Sequence, residues 1–313
     1  MTAHTGIIFP GQGSQSVGML DALAVQFPQI KQTFEEASDV LQMDLWALAS
    51  EGPAEELNRT ENTQPAMLTA GMAVYRVWLS QGGPAGSIMA GHSLGEYTAL
   101  AAAGSLDFSD AIALVAARGR FMQNAVPAGQ GAMAAILGLD DDAVVAVCAQ
   151  AAEGEVAEAV NFNSPGQVVI AGSKAAIERA IDLAREAGAK RALLLPVSVP
   201  SHCALMRPAA EQLAAMLETV AVQMPKIPVV HNVDVDISDS TDAIREKLVQ
   251  QLYRPVRWVE TMTSMKGRGI GNLIEPGPGK VLTGLGKRTD KTLTFLPVSD
   301  PASLEKALES CNA

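Results

Sequence analysis

The chain is short of positive charge, of aromatic rings and of cysteine. Its 313 residues hold 23 Lys and Arg against 34 Asp and Glu, a formal net charge of -11 at pH 7. A nucleic acid partner needs a concentrated basic surface, so DNA and RNA are excluded as main partners. Cys148, Cys203 and Cys311 are odd in number and far apart, which suits neither a disulfide framework nor a metal knuckle; reduced thiols are expected. No run of about 18 apolar residues is present for a membrane span. Met1-Thr2-Ala3-His4 also lacks a basic region followed by a long apolar run, so a cytoplasmic protein without a membrane partner is expected. The scarce cations cluster at Lys280, Lys287, Arg288 and Lys291, and more weakly at Lys190-Arg191. Each group is either a contact for an acidic partner or ordinary solvated surface.

With 48% hydrophobic and 18% charged residues, the chain is globular and has room for one large or two unequal domains. A first strand over 5–9 ends at Pro10-Gly11-Gln12-Gly13, and helical segments alternate with short apolar runs to Gly104. That order predicts an α/β domain with a mainly parallel sheet. Near Pro127-Ala128-Gly129 the pattern changes. Strands are expected over 132–138, 156–162, 167–171 and 191–197, with helices over 140–152 and 173–187. This is β-α-β-β-α-β, the ferredoxin-like order. It reads as a subdomain, 128–198, inserted into a core made of 1–127 and 199–313. After it come a loop at Val199 to Cys203, a helix over about 208–220, a strand over 227–233 and a helix over 242–252. The last expected strand is Leu273-Ile274-Glu275, ending at Pro276-Gly277-Pro278-Gly279.

Two glycine-rich loops fail as nucleotide sites. In a dinucleotide fingerprint beginning at Gly11 the third glycine would fall at Ser16, and Lys280 is followed by Val281 where a P-loop needs Ser or Thr. Gly91-His92-Ser93-Leu94-Gly95 fits its setting better. A short apolar run over 87–90 precedes it and a helix-compatible stretch to Ala103 follows, the strand-turn-helix order that raises a serine into a nucleophile. The new helix would aim unpaired N–H groups at whatever the serine attacks.

A serine needs a base. Of four histidines, His92 adjoins the nucleophile and should diverge from it, His4 is near a terminus, and His231 lies in the expected strand. His202 remains, either as the base or as a surface or structural histidine. No carboxylate between Ser93 and His202 is a convincing triad acid: Asp107 sits beyond the elbow helix, and Asp140 to Asp142 look like a helix start. On the helix beginning near Ser109, the stripe Ala111, Leu114, Val115, Arg118, Phe121, Met122 is apolar but for Arg118. An inward guanidinium needs an anion, either a carboxylate of the protein or one on the substrate; Arg120 faces solvent.

Phe9-Pro10-Gly11-Gln12-Gly13, Gly91 to Glu96, Arg118-Gly119-Arg120, Pro200-Ser201-His202, Asn232-Val233-Asp234 and Glu275 to Gly279 together resemble the malonyl-CoA:acyl carrier protein transacylases of bacterial fatty-acid synthesis. The resemblance runs from Thr5 to about Leu296. It implies an α/β-hydrolase-like core with a ferredoxin-like insertion, and an acyltransferase; separately, a monomer is expected. Ser93 would take malonyl from malonyl-CoA as an ester and pass it, in ping-pong order, to the phosphopantetheine thiol of acyl carrier protein. His202 would be base and then acid, oriented by a main-chain carbonyl that matches Gln251. The N–H groups of Gln12 and Leu94 would form the oxyanion hole, Arg118 would clamp the malonyl carboxylate, and Gln64 and Met122 match positions near the acyl pocket. No metal or redox cofactor is implied. A related acyltransferase of a polyketide or malonate-decarboxylase pathway, a serine hydrolase, and a non-catalytic binding module are the alternatives.

Overall fold

A computed structural model describes residues 4–197 and 199–312. Met1, Thr2, Ala3, Ser198 and Ala313, which the expected domain limits include, lie outside the described residues. The chain enters through β1 (His4–Phe9), followed by α1 (Asp21–Gln26), α2 (Gln29–Leu41), α3 (Leu45–Ser50), α4 (Ala54–Leu57) and α5 (Thr60–Ser80). Then come β2 (Ile88–Gly91), α6 (Leu94–Ala102) and α7 (Phe108–Ala125). The next unit is β3 (Gly131–Leu137), α8 (Asp141–Ala152), β4 (Ala157–Ser164), β5 (Gln167–Ser173), α9 (Lys174–Glu186) and β6 (Arg191–Leu194). The rest is a 3-10 turn at Ala204–Met206, α10 (Arg207–Leu217), β7 (Val229–Val230), α11 (Thr241–Gln251), α12 (Trp258–Gly267), β8 (Ile270–Pro276), α13 (Val281–Thr289), β9 (Thr294–Val298) and α14 (Pro301–Asn312).

Two sheets result. One is parallel with order β7-β2-β1-β8-β9, the other antiparallel with order β4-β5-β3-β6. The second has the strand order and two covering helices of a ferredoxin-like unit, and its own apolar core of residues such as Ile136, Val144, Ile170 and Ile177. In the first sheet β1 is central, with Phe9 beside Gly91 on β2 and Ile7 beside Ile274 on β8. The loops that leave the C-terminal ends of these strands therefore meet, which is where open parallel sheets place their sites.

Helix α5 packs against that sheet and α7, and is buried almost all round. Its small residues permit this closeness: a Cβ on Gly71 would stand 2.9 Å from Thr98, and one on Gly119 of α7 would stand 2.6 Å from the Glu61 backbone. Helix α7 is also buried beyond the expected stripe, since Ala116 and Ala117 are covered as well.

Three expectations need correcting. Glu275 does not lie on the last strand, because β9 follows it at the sheet edge; Pro297, which an edge strand tolerates, had weakened the strand signal. The strand expected over 227–233 is only Val229–Val230, so His231 stands just beyond it. From there His231 and Asn232 turn their polar groups to Glu96 instead of continuing the ladder. The five helices between β1 and β2 also replace the simple alternation expected there.

Candidate active site

Ser93 sits at the turn from β2 into α6 with φ 51° and ψ -110°, outside the ordinary basins of an L-residue. The flanking glycines make the turn possible. A Cβ on Gly91 would strike the backbone of Gly95 and Glu96, and one on Gly95 would strike the Phe9 carbonyl. Asn232 secures the elbow by accepting from the Ser93 amide at 2.7 Å and donating to the Gly91 carbonyl at 2.7 Å. With the serine amide taken, Leu94 offers the next N–H at the first position of α6, where no intrahelical acceptor exists. Leu94 lines the same cavity as Gln12, which leaves the end of β1.

His202 Nε2 lies 2.7 Å from Ser93 Oγ, and its Nδ1 lies 2.7 Å from the main-chain oxygen of Gln251. A carbonyl can only accept, so Nδ1 carries the proton and Nε2 is the free base facing the hydroxyl. Gln251 closes α11, whose last carbonyls have no partner within the helix. A helix end thus occupies the place of a triad carboxylate. The ring is buried, and its backbone is anchored by donation from the His202 amide to the Leu252 carbonyl at 2.9 Å. Burial and then the nearby Arg118 charge hold the imidazole pKa down at about 3, against a smaller opposing pull from the Gln251 carbonyl.

Arg118 is 1% exposed, yet the described residues place no carboxylate in contact with it. Its Nη1 donates to Gln64 Oε1 at 2.7 Å, its Nη2 to Gln251 Oε1 at 3.0 Å, and Nη2 also stands 3.5 Å from Ser93 Oγ. Nε has no partner, and the guanidinium lies 5.2 Å from the Tyr97 ring centre. Burial pulls its pKa down, but a guanidinium does not surrender its proton in a protein. Of the two anions that the sequence leaves open, a protein carboxylate is not supplied to this arginine by the described residues.

Ser93, His202, Arg118, Met122, Gln12 and Leu94 border one cavity of about 400 Å³ between the two sheets, closed on the far side by side chains such as Asn161. Gln64 and Gln251 stand behind it: Gln64 holds Arg118 and donates to Met122 Sδ at 3.4 Å. His92 turns away from Ser93, as its position beside the nucleophile suggests, and meets Asn163 Oδ1 at 2.8 Å.

The model of the acyl transferase domain family matches residues 7–303. The chain belongs to that family. Over 302 residues this acyl transferase is 59% identical to the malonyl CoA-acyl carrier protein transacylase of Escherichia coli (strain K12), covering 96% of this chain and 98% of that protein. It is 46% identical over 304 residues to the protein of that description from Bacillus subtilis (strain 168), covering 97% and 96%. The crystal structure of an acyl carrier protein S-malonyltransferase from Vibrio cholerae superposes with a TM-score of 0.95 at 58% identity, covering 97% of this chain and 99% of that one. A malonyl-transacylase solved in complex with its type II PKS acyl-carrier protein gives 0.97 at 58% identity, with 98% and 100% covered.

Sequence reasoning did not assign three parts of this acyl transferase's site. Glu96 and Asn232 enter it only as letters of motifs, and the side chain of Gln251 not at all. Glu96 had a readable signal: it is a charge on a helix whose other early positions, Leu94, Tyr97, Ala99 and Leu100, are apolar. Asn232 and Gln251 had none, because an amide is common at a strand or helix end and only the fold brings these two together.

Proposed function

We propose that this acyl transferase moves a malonyl group from malonyl-CoA to the phosphopantetheine thiol of acyl carrier protein through an ester on Ser93, supplying malonyl-carrier for fatty-acid synthesis. The observation that carries this reading is Arg118, a buried cation with no carboxylate partner among the described residues, beside the serine that would hold the acyl group. An acyl chain ending in a carboxylate supplies the missing anion. The names of the relatives agree with that chemistry.

His202 Nε2 takes the Ser93 proton as Oγ attacks the thioester carbonyl. Negative charge developing on the carbonyl oxygen is met by the N–H groups of Gln12 and Leu94. As the intermediate collapses the C–S bond breaks, and the imidazolium returns its proton to the departing CoA sulfur. The carrier thiol then repeats the sequence in reverse, giving a proton to His202, attacking the ester, and releasing Ser93 Oγ, which recovers the proton. One thioester replaces another with no change of oxidation state, so this scheme calls on no metal or redox cofactor. The same reading divides the chain into a core of 1–127 and 199–313 and a subdomain of 128–198, and has the protein act as a cytoplasmic monomer. No helix among the described residues is long and apolar enough to cross a membrane.

A second carrier class is favoured by one observation, the similar transacylase seen with a type II PKS carrier. Incubating the protein with labelled malonyl-CoA and purified carriers decides between them. Faster loading of a fatty-acid carrier than of a polyketide carrier is expected. Loading confined to the polyketide carrier would reassign the pathway, and release of free malonate without any carrier would make the protein a hydrolase.

A further inference from the structure

A buried carboxylate lies behind the elbow. Glu96, fully buried and one turn along α6 from Ser93, accepts from His231 Nδ1 at 2.7 Å, from the Asn232 amide at 3.0 Å and from Gln251 Nε2 at 2.8 Å. His231 is fixed at its other nitrogen by Ser238 Oγ at 2.9 Å. A side-chain amide has two faces, and a carboxylate can accept from only one of them. Gln251 must therefore turn its NH2 toward Glu96, and the second hydrogen of that group goes to the Ser93 carbonyl at 3.0 Å. Both hydrogens are then placed, and Oε1 is left facing Arg118 Nη2.

We propose that Glu96 is a positioning residue for acyl selectivity: by fixing the Gln251 amide it holds Arg118 where the guanidinium can receive a carboxylate. Glu96 touches no reacting atom. It also holds the backbone of Asn232, whose side chain secures the Ser93 turn, so one acid sets both the nucleophile and the arginine. In Glu96→Gln one amide oxygen faces the three donors that the carboxylate accepted, so Gln251 loses its charged acceptor, is held in this orientation by the Ser93 carbonyl alone, and can turn its NH2 to Arg118. Two donors then face each other, and the guanidinium is displaced from its aim. The inference rests on the malonyl reading given above.

The test compares kcat and KM for malonyl-CoA and for acetyl-CoA in the native protein and in Glu96→Gln, with purified carrier as acceptor and a melting curve to establish folding. The malonyl-to-acetyl ratio of kcat/KM is expected to fall about tenfold or more, the size of one charge-assisted hydrogen bond, mainly through a higher KM for malonyl-CoA. Equal losses for both acyl groups would overturn the proposal by reducing Glu96 to a structural residue. If Glu96→Gln does not fold, Gln251→Met decides: it removes the amide yet keeps the carbonyl that holds His202, and an unchanged ratio in the folded variant would overturn the proposal. A native protein without malonyl preference would instead refute the substrate reading itself, a separate result.

Discussion

At the scale of the residue, the proposed selectivity for malonyl rests on an unpaid electrostatic debt at Arg118. A buried guanidinium held by neutral acceptors, Gln64, Gln251 and more distantly Ser93 Oγ, is stabilised further by an incoming carboxylate. An uncharged acyl chain leaves it as it was. Arg118→Ala is therefore expected to lower malonyl kcat/KM by about tenfold to a hundredfold, the range of a buried charged hydrogen bond, with a smaller effect on acetyl; parallel steady-state measurements check it, and equal losses would refute the clamp. His202 supports a pH prediction. With its pKa at about 3 instead of the ordinary 6.5, the ring is an unprotonated base throughout the neutral range. The acylation rate of Ser93 at low malonyl-CoA should show no imidazole inflection between about pH 8 and about pH 5, and an inflection near 6.5 would contradict the burial account. Stability follows by linkage. Between the two pKa values the unfolded chain binds the proton and the folded chain does not, so stability is lost as pH falls from 6.5 toward about 3. His92, also buried with its pKa lowered, adds in the same direction, and melting curves against pH measure the sum.

At the scale of the element, the site depends on where β1, β2 and α11 end. The elbow needs two glycines because α6 starts against β1, with Gly95 on the Phe9 carbonyl. Gly95→Ala should therefore cost about 3 kcal/mol by overpacking, read from denaturant unfolding, and a cost within experimental error would show that the turn adapts. The orientation of the His202 ring needs a helix that stops at Gln251, so that a spare carbonyl meets Nδ1. On the far side of the sheet, the buried carboxylate of Glu275 accepts from the amides of Leu282 and Thr283 at 2.9 and 2.7 Å and fastens the start of α13. Legibility at this scale was uneven. The β-α-β-β-α-β order showed in the spacing of apolar runs and turn residues, and Asp140 announced α8, where it accepts from Ala143 at 2.8 Å. Edge strand β9 carried Pro297 and gave a weak signal, and the strand at Val229–Val230 was cut short by polar contacts that only tertiary structure supplies. Ser93, His202 and Arg118 were legible because each is a chemically conspicuous residue in an unusual position. Glu96, Asn232 and the Gln251 side chain act through orientation, which no residue type announces.

At the scale of the whole molecule, the antiparallel unit closes the cleft above the serine. It is tied to the parallel core by exchange between Val256 and β4, Val256 N to Val160 O at 2.8 Å and Phe162 N to Val256 O at 3.0 Å, and by the contact of His92 with Asn163. The molecule is acidic as a whole, but α13 ends in exposed Lys287 and Arg288. An acidic carrier would approach there by steering, so Lys287→Glu with Arg288→Glu should raise the carrier KM and leave malonylation of Ser93 unchanged; an unaltered carrier KM would remove this surface from the docking path. The most direct measurement of the central claim is intact mass after brief exposure to malonyl-CoA, for the native protein and for Ser93→Ala. One malonyl increment on the native chain, absent from Ser93→Ala and discharged by adding carrier, is the predicted result. An increment that persists in Ser93→Ala, or transfer to carrier that does not need Ser93, would contradict it.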